Sequence, residues 1–130
     1  MSVLEKATSH FREKISGELK YVFVPEWGDS PDKPLKIYYK PSINFKAQGK
    51  ILALFKQNKD EEAVCMSLII RALDENGKNI FNEGHMPNLL HEVDPDVVNR
   101  ILGEMGANDE DSEEIKKNLK KTMNYILFFI

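Results

Sequence analysis

A single cysteine, Cys65, leaves no partner for an internal disulfide and too few thiolates for a cysteine-rich zinc module. Excess charge of one sign is also lacking. Eighteen Lys/Arg against 21 Asp/Glu give a net charge of -3, so no overall basic field draws the chain to nucleic acid or anionic lipid. Long apolar runs are missing too. The charge-free stretches 63–70 and 122–130 fall well short of the roughly 20 apolar residues of a membrane helix. Glu5 near the start, with no apolar run behind it, does not fit a signal peptide, and a soluble intracellular protein is expected. There is no phosphate-binding glycine loop, no nucleophile elbow, no internal repeat and no low-complexity tract.

What is present suits one globular domain over residues 1–130. Hydrophobic residues make up 42% and charged residues 30%, which argues against general disorder. A chain of this size buries about two-thirds of its unfolded surface and can hold a core without staples. Residues 1–65 carry eleven Lys/Arg and nine Asp/Glu, residues 66–130 seven and twelve. That asymmetry is too mild to name a partner.

Ser2 and Glu5 form an S-x-x-E capping box, and Val3, Leu4, Ala7, Phe11 and Ile15 follow on one helical stripe, expected to dock on the core. Gly17 stands where a left-handed C-terminal cap would fall. Residues 19–41 change period. Leu19, Tyr21 and Phe23 alternate with Lys20, Val22 and Val24, and Leu35, Ile37 and Tyr39 alternate with Lys36, Tyr38 and Lys40. This is the spacing of two half-exposed strands, stopped by Pro25, Pro31, Pro34 and Pro41. A small antiparallel ribbon fits, and it must pack on helices or pair with another copy.

Helical spacing returns from Ser42 through Ala47, Ile51, Leu54 and Phe55 to about Asn58. Asp60 is the next expected N-cap, with Glu61 and Glu62 in the first turn. Residues 63–73 are apolar on nearly every side and belong at the centre of the fold. A helix is preferred there, although Asn76-Gly77 is a hairpin signal that leaves 63–81 open between helix-turn and β-hairpin. Asp94-Pro95 marks a helix start, carried on by Val97, Val98, Ile101, Leu102 and Met105 and ended at Gly106. An acidic stretch from Asp109 to Glu114 leads into a last helix whose lysines (Lys116, Lys117, Lys120, Lys121) come later, the order the helix dipole prefers. The expected fold is mainly α: a compact helical domain of about five helices with a small N-terminal β ribbon, α+β being the alternative.

Candidate chemistry is sparse. His85, His91, Glu92 and Asp94 match no ligand spacing, and surface or capping roles are expected for the histidines, His10 included. With Gly77 at the invariant glycine of a calcium loop, Asp74, Asn76 and Glu83 fall at ligand positions. Ala72 then stands at the first, and Asn79 replaces the hydrophobic residue, so a plain turn is expected. Cys65 lies in the most apolar segment and reads as inert core. No catalytic, cofactor-binding or metal-binding residue is assigned, and no enzyme is expected.

The chain end carries more. Ile115, Leu119, Met123, Ile126 and Ile130 form a stripe that can dock on the core, and Tyr125, Phe128 and Phe129 leave it. Those three aromatics are either buried on a second side or form a partner-binding patch. Self-association is expected from this surplus of apolar surface and from the small ribbon.

The order of motifs carries a resemblance. A β segment at 35–40 ends in Pro41-Ser42 and is followed by a helical pair. A D-x-x-G-x-x-x-F turn comes next (Asp74, Gly77, Phe81), then Leu89-Leu90, and then Asp94-Pro95-Asp96-Val97-Val98-Asn99-Arg100-Ile101-Leu102. Lys116-Lys117-Asn118-Leu119 closes the series. Over residues 19–120 this resembles the tail assembly chaperones of long-tailed, siphovirus-type bacteriophages; the first helix and residues 125–130 are not carried by it. The resemblance implies a non-enzymatic assembly factor that binds the tape measure protein, helps recruit tail tube subunits, works in the host cytoplasm and is absent from the mature virion. It also implies that a longer frameshifted form can exist. It implies a homo-oligomer with protein partners, and no nucleic acid, membrane or small-molecule substrate. The alternative is a small phage or bacterial DNA-binding regulator. Its best recognition helix, 94–105, has Arg100 against Asp94, Asp96 and Glu104, which argues against it.

Overall fold

Seven elements follow one another in the computed structural model, which describes residues 2–107: α1 (Val3–Ser16), β1 (Lys20–Val24), β2 (Leu35–Tyr39), α2 (Phe45–Lys56), α3 (Asp60–Arg71), α4 (Met86–His91) and α5 (Pro95–Ala107). The mainly helical fold with a small N-terminal ribbon is the expected one. The expected last helix, the lysines at 116–121 and the aromatics Tyr125, Phe128 and Phe129 lie outside the described residues.

Local chemistry sets the helix ends. Ser2 Oγ accepts the Glu5 N–H at 3.1 Å and starts α1. Gly17 ends it in an extended conformation (φ -68°, ψ 179°), not the left-handed cap expected from its residue type. Asn44 Oδ1 accepts the Ala47 N–H at 2.9 Å and starts α2. At the far end of α2, Asn58 takes φ 60°, the Asn58 N–H reaches the Phe55 carbonyl, and the Lys59 N–H reaches that of Leu54. This is a Schellman closure, with asparagine in the place glycine usually takes. It absorbs the connection, so α3 begins one residue earlier than expected: Asp60 is its first helical residue, and Lys59 is an N-cap without a side-chain bond. Asp94 caps α5 as expected, Oδ1 accepting the Asp96 N–H at 2.9 Å, but the helix continues through Gly106 to Ala107.

The ribbon is antiparallel, with Val22 opposite Ile37, Val24 opposite Leu35, Tyr21 opposite Tyr38 and Phe23 opposite Lys36. Residues opposite each other share a face, so β2, where Lys36 stands between Leu35 and Ile37, fixes the orientation of both strands. Val22, Val24, Ile37 and Tyr39 point inward and are buried. They form one cluster with Cys65, Leu68, Ile69 and Ala72, and with Leu89, Val97, Val98, Ile101 and Met105. α3 lies central, packed on α2, α4 and α5, and α5 also packs on β1. The ribbon's inner face is thus covered within one chain and needs no second copy.

The segment 63–81 follows the helix-turn reading and not the β-hairpin. The helix ends at Arg71, and Leu73 then exchanges backbone hydrogen bonds with Tyr38 at 2.8 and 2.9 Å. Leu73 also bridges to Asn79 around a tight turn. Asp74 Oδ1 accepts the N–H groups of Asn76 (2.9 Å) and Lys78 (3.0 Å), and Gly77 takes φ 80°. Asn79 Nδ2 donates to the carbonyls of Ile69 and Ile70, so it closes the end of α3. α4 is the helix the sequence reading lacks.

Candidate functional site

The outer face of the ribbon is the first candidate. Alternation that sends Val22 and Val24 inward must send Tyr21 and Phe23 outward, where they are 43% and 48% exposed. Their rings meet edge to face at 5.2 Å, and Tyr21 stands 5.7 Å from Tyr38. Lys36 Nζ lies 4.9 Å from the Tyr21 ring and 5.7 Å from that of Phe23. An exposed cation–π contact contributes about 0.5–1 kcal/mol, enough to hold the lysine over the rings. Exposed aromatics with two rotatable angles, backed by a core on the other face, make a rigid contact surface.

The second candidate is an open groove of about 740 Å³ between α1 and the start of α2. Ala7, Phe11 and Ile15 line one wall, and Ile43 and Phe45 the other. Phe45 is 90% exposed. No residue of α1 is buried, so its stripe does not dock on the core as expected but borders this groove.

The polar residues that invited a chemical reading serve the backbone. The Asp74 carboxylate is occupied by its own turn. His85 Nδ1 accepts the Asn82 N–H at 3.1 Å, a capping role. Glu92 accepts from Asn88 Nδ2, and Asp94 caps α5. Among the described residues no three His, Cys, Asp or Glu side chains gather to hold a metal ion. Cys65 is buried, and that burial, aided by the charge of Glu62, pushes its thiol up, away from the reactive thiolate.

Perturbed ionisation often marks a reactive site, but here it marks a clamp. Arg100 grips Glu26 with two hydrogen bonds, Nη1 to Oε2 and Nη2 to Oε1, the latter at 3.0 Å. The bond holds the Glu26 carboxyl below its ordinary range and raises Arg100. Arg100 also lies 4.0 Å from Glu104. The one base of α5 is therefore engaged in tying the helix to the turn at Pro25–Trp27, and Val97, Val98, Ile101 and Met105 are buried. That helix presents no basic face to a DNA groove.

No family model and no curated protein matches the chain. Among solved structures, the bacteriophage HK97 tail assembly chaperone is similar to it, with 14% sequence identity and a TM-score of 0.52. The likeness covers 78% of this chain and 91% of that one. At this identity it is a likeness of fold, and it meets the expectation drawn from the order of motifs: the chain has the fold of a phage tail assembly chaperone.

Proposed function

We propose that the protein is a non-enzymatic tail assembly chaperone that binds the tape measure protein and helps recruit tail tube subunits. In this reading it acts as an oligomer in the host cytoplasm and leaves no copy in the mature virion. The observation that carries this reading is the fold likeness, which spans nearly all of the HK97 chaperone. The exposed aromatics of the ribbon support it, because covering a long helical protein takes apolar contact surface more than reactive groups.

Co-expression of the tape measure protein of the same phage, with and without this chain, tests the proposal. The tape measure protein is expected in the soluble fraction, bound to the chain, only when both are made. An unchanged distribution with no co-purification would overturn it. Tyr21→Ser combined with Phe23→Ser should weaken capture about tenfold or more while melting within a few degrees of the parent, since both side chains face away from the core.

Tyr125, Phe128 and Phe129 are proposed as further partner contacts. Phe128→Ala and Phe129→Ala should then cost binding, by about 2 kcal/mol each, with an almost unchanged melt. A core role would instead remove roughly 3–5 kcal/mol of folding stability.

A further inference from the structure

The two edges of the ribbon are not alike. On one side Tyr38 exchanges both backbone hydrogen bonds with Leu73, at 2.9 and 2.8 Å, so the chain closes that edge itself. In an antiparallel pair, opposite residues alternate between exchanging hydrogen bonds and turning their backbone groups away from each other. Tyr38 turns its groups to Leu73, so Tyr21, opposite it, turns its own away from β2. Phe23, two residues on, does the same. The N–H and C=O groups of Tyr21 and Phe23 therefore line the far edge of β1, and among the described residues neither has a further backbone partner. Edge strands are usually blunted by charge, proline or a bulge. From Tyr21 to Val24, β1 has none of these, and all five of its residues pair in register with β2.

The four backbone groups in that row specify what can fill them. They repeat every two residues, about 7 Å apart, and only an extended chain offers carbonyls and N–H groups at that spacing. A helix laid on the aromatic face keeps its backbone groups to itself and leaves the four unpaired. Side chains of an added strand fall beside Tyr21 and Phe23 on the outer face, where aromatic and β-branched neighbours pack best. Charge narrows the choice further. The outer face of the ribbon holds Tyr21, Phe23, Lys36 and Tyr38, one cation and no acid. Lys36 stands on β2, yet its Nζ leans over both β1 rings, 4.9 Å from Tyr21 and 5.7 Å from Phe23, towards the open edge. A strand with Asp or Glu on that face would meet it. A second copy's β1, Lys-Tyr-Val-Phe-Val, has no acid to offer.

We infer that β1 takes its partner by strand addition: an extended, largely apolar stretch of the tape measure protein, with an acidic residue towards Lys36, pairs along the edge at Tyr21 and Phe23. This mode of binding rests on the capture proposed above. Amide hydrogen exchange of the full-length chain, alone and with the tape measure protein of the same phage, tests it. In the free chain the Tyr21 and Phe23 amides should exchange freely, while β2 holds those of Val22 and Val24. In the complex both outward amides should slow, by about tenfold or more. Phe23→Pro removes one outward N–H and no ladder bond, the setting in which an edge strand tolerates proline. It should capture about tenfold less than Phe23→Thr, which loses the same ring but keeps the N–H. The exchange result needs no variant, so it stands even if Phe23→Pro fails to fold. Lys36→Glu should weaken capture about threefold, and capture equal to the parent's would overturn the acidic contact. Capture with both amides exchanging as in the free chain, or equal capture by folded Phe23→Pro and Phe23→Thr, would overturn strand addition and leave the capture itself standing. No capture at all would overturn both. Slow Tyr21 and Phe23 amides in the chain alone would also overturn it, assigning the edge to a second copy if protection rises with concentration and to the chain's own residues 108–130 if it does not.

Discussion

Leu68→Ala is expected to remove about 2–5 kcal/mol of stability and to lower the melting temperature by on the order of 10 °C. Leu68 is fully buried near the middle of α3. α3 is packed on three other helices, so several elements would have to move to refill the space a leucine leaves. The cost combines lost transfer free energy with a cavity that cannot collapse. Ile51→Ala on α2 provides the contrast. Ile51 is half-buried and α2 has no buried residue, so solvent can enter where the side chain was. A loss below about 2 kcal/mol is expected there. If calorimetry finds the two variants equally stable, α3 is not the centre of the core.

That central place for α3 was legible in the sequence because 63–73 is apolar on nearly every side, a pattern that suits only a surrounded helix. Helix starts were legible where one residue does the chemistry by itself: Ser2 for α1, Asp94 with Pro95 for α5. Elements that depend on distant partners were not. α4 has only six residues, one of them Pro87, and buries Leu89 alone, too short a span to show a period. Asn76-Gly77 gave a true turn signal and residues 63–71 a true helix signal; the two competed only while the helix and the turn were taken for one element. Gly17 and Gly106 misled because a glycine permits a left-handed cap without requiring one.

The surfaces were harder to read than the core. β1 carries apolar residues on both faces, Tyr21 and Phe23 against Val22 and Val24, so its own pattern cannot choose a side. The choice rests with β2, through Lys36 opposite Phe23 and Ile37 opposite Val22. Pairing the two strands by their lysines would have buried the aromatic face, because Lys20 stands opposite Tyr39 on the side of Val22 and Val24, while Lys36 stands opposite Phe23. The stripe of α1 was visible, but a stripe states only that a helix has something to cover. It does not say whether the cover comes from its own chain, which is why docking on the core was expected and an open groove was found.

Gly28→Ala is expected to cost about 3 kcal/mol, at the upper end for adding one methyl group to a packed site. The backbone at Gly28 is unremarkable in conformation (φ -83°), so the cost comes from space alone. A Cβ there would lie 2.3 Å from the Lys33 carbonyl oxygen and 3.0 Å from both the Leu35 nitrogen and the Pro34 Cα. All three are backbone atoms, so no side chain can swing away. The loop is held in place from several sides. The Lys33 N–H bonds the Ser30 carbonyl at 3.0 Å, Pro34 stiffens the approach, and Leu35 enters the ribbon directly after it. Relief would have to come from moving the turn at Pro25–Trp27. Trp27 packs against the core and stands edge to face with Phe81 at 6.3 Å, and Glu26 holds Arg100. The strain would therefore spread into the contact between the turn and α5. Gly17→Ala is the matched control, with no atom within 4 Å of the added Cβ and an ordinary φ of -68°. It should melt at or slightly above the parent, by up to about 1 kcal/mol, because alanine restricts the unfolded chain. A fall of several degrees for Gly28→Ala beside an unchanged or raised Gly17→Ala is the expected outcome, and equal melting of the two would refute the close approach of the loop.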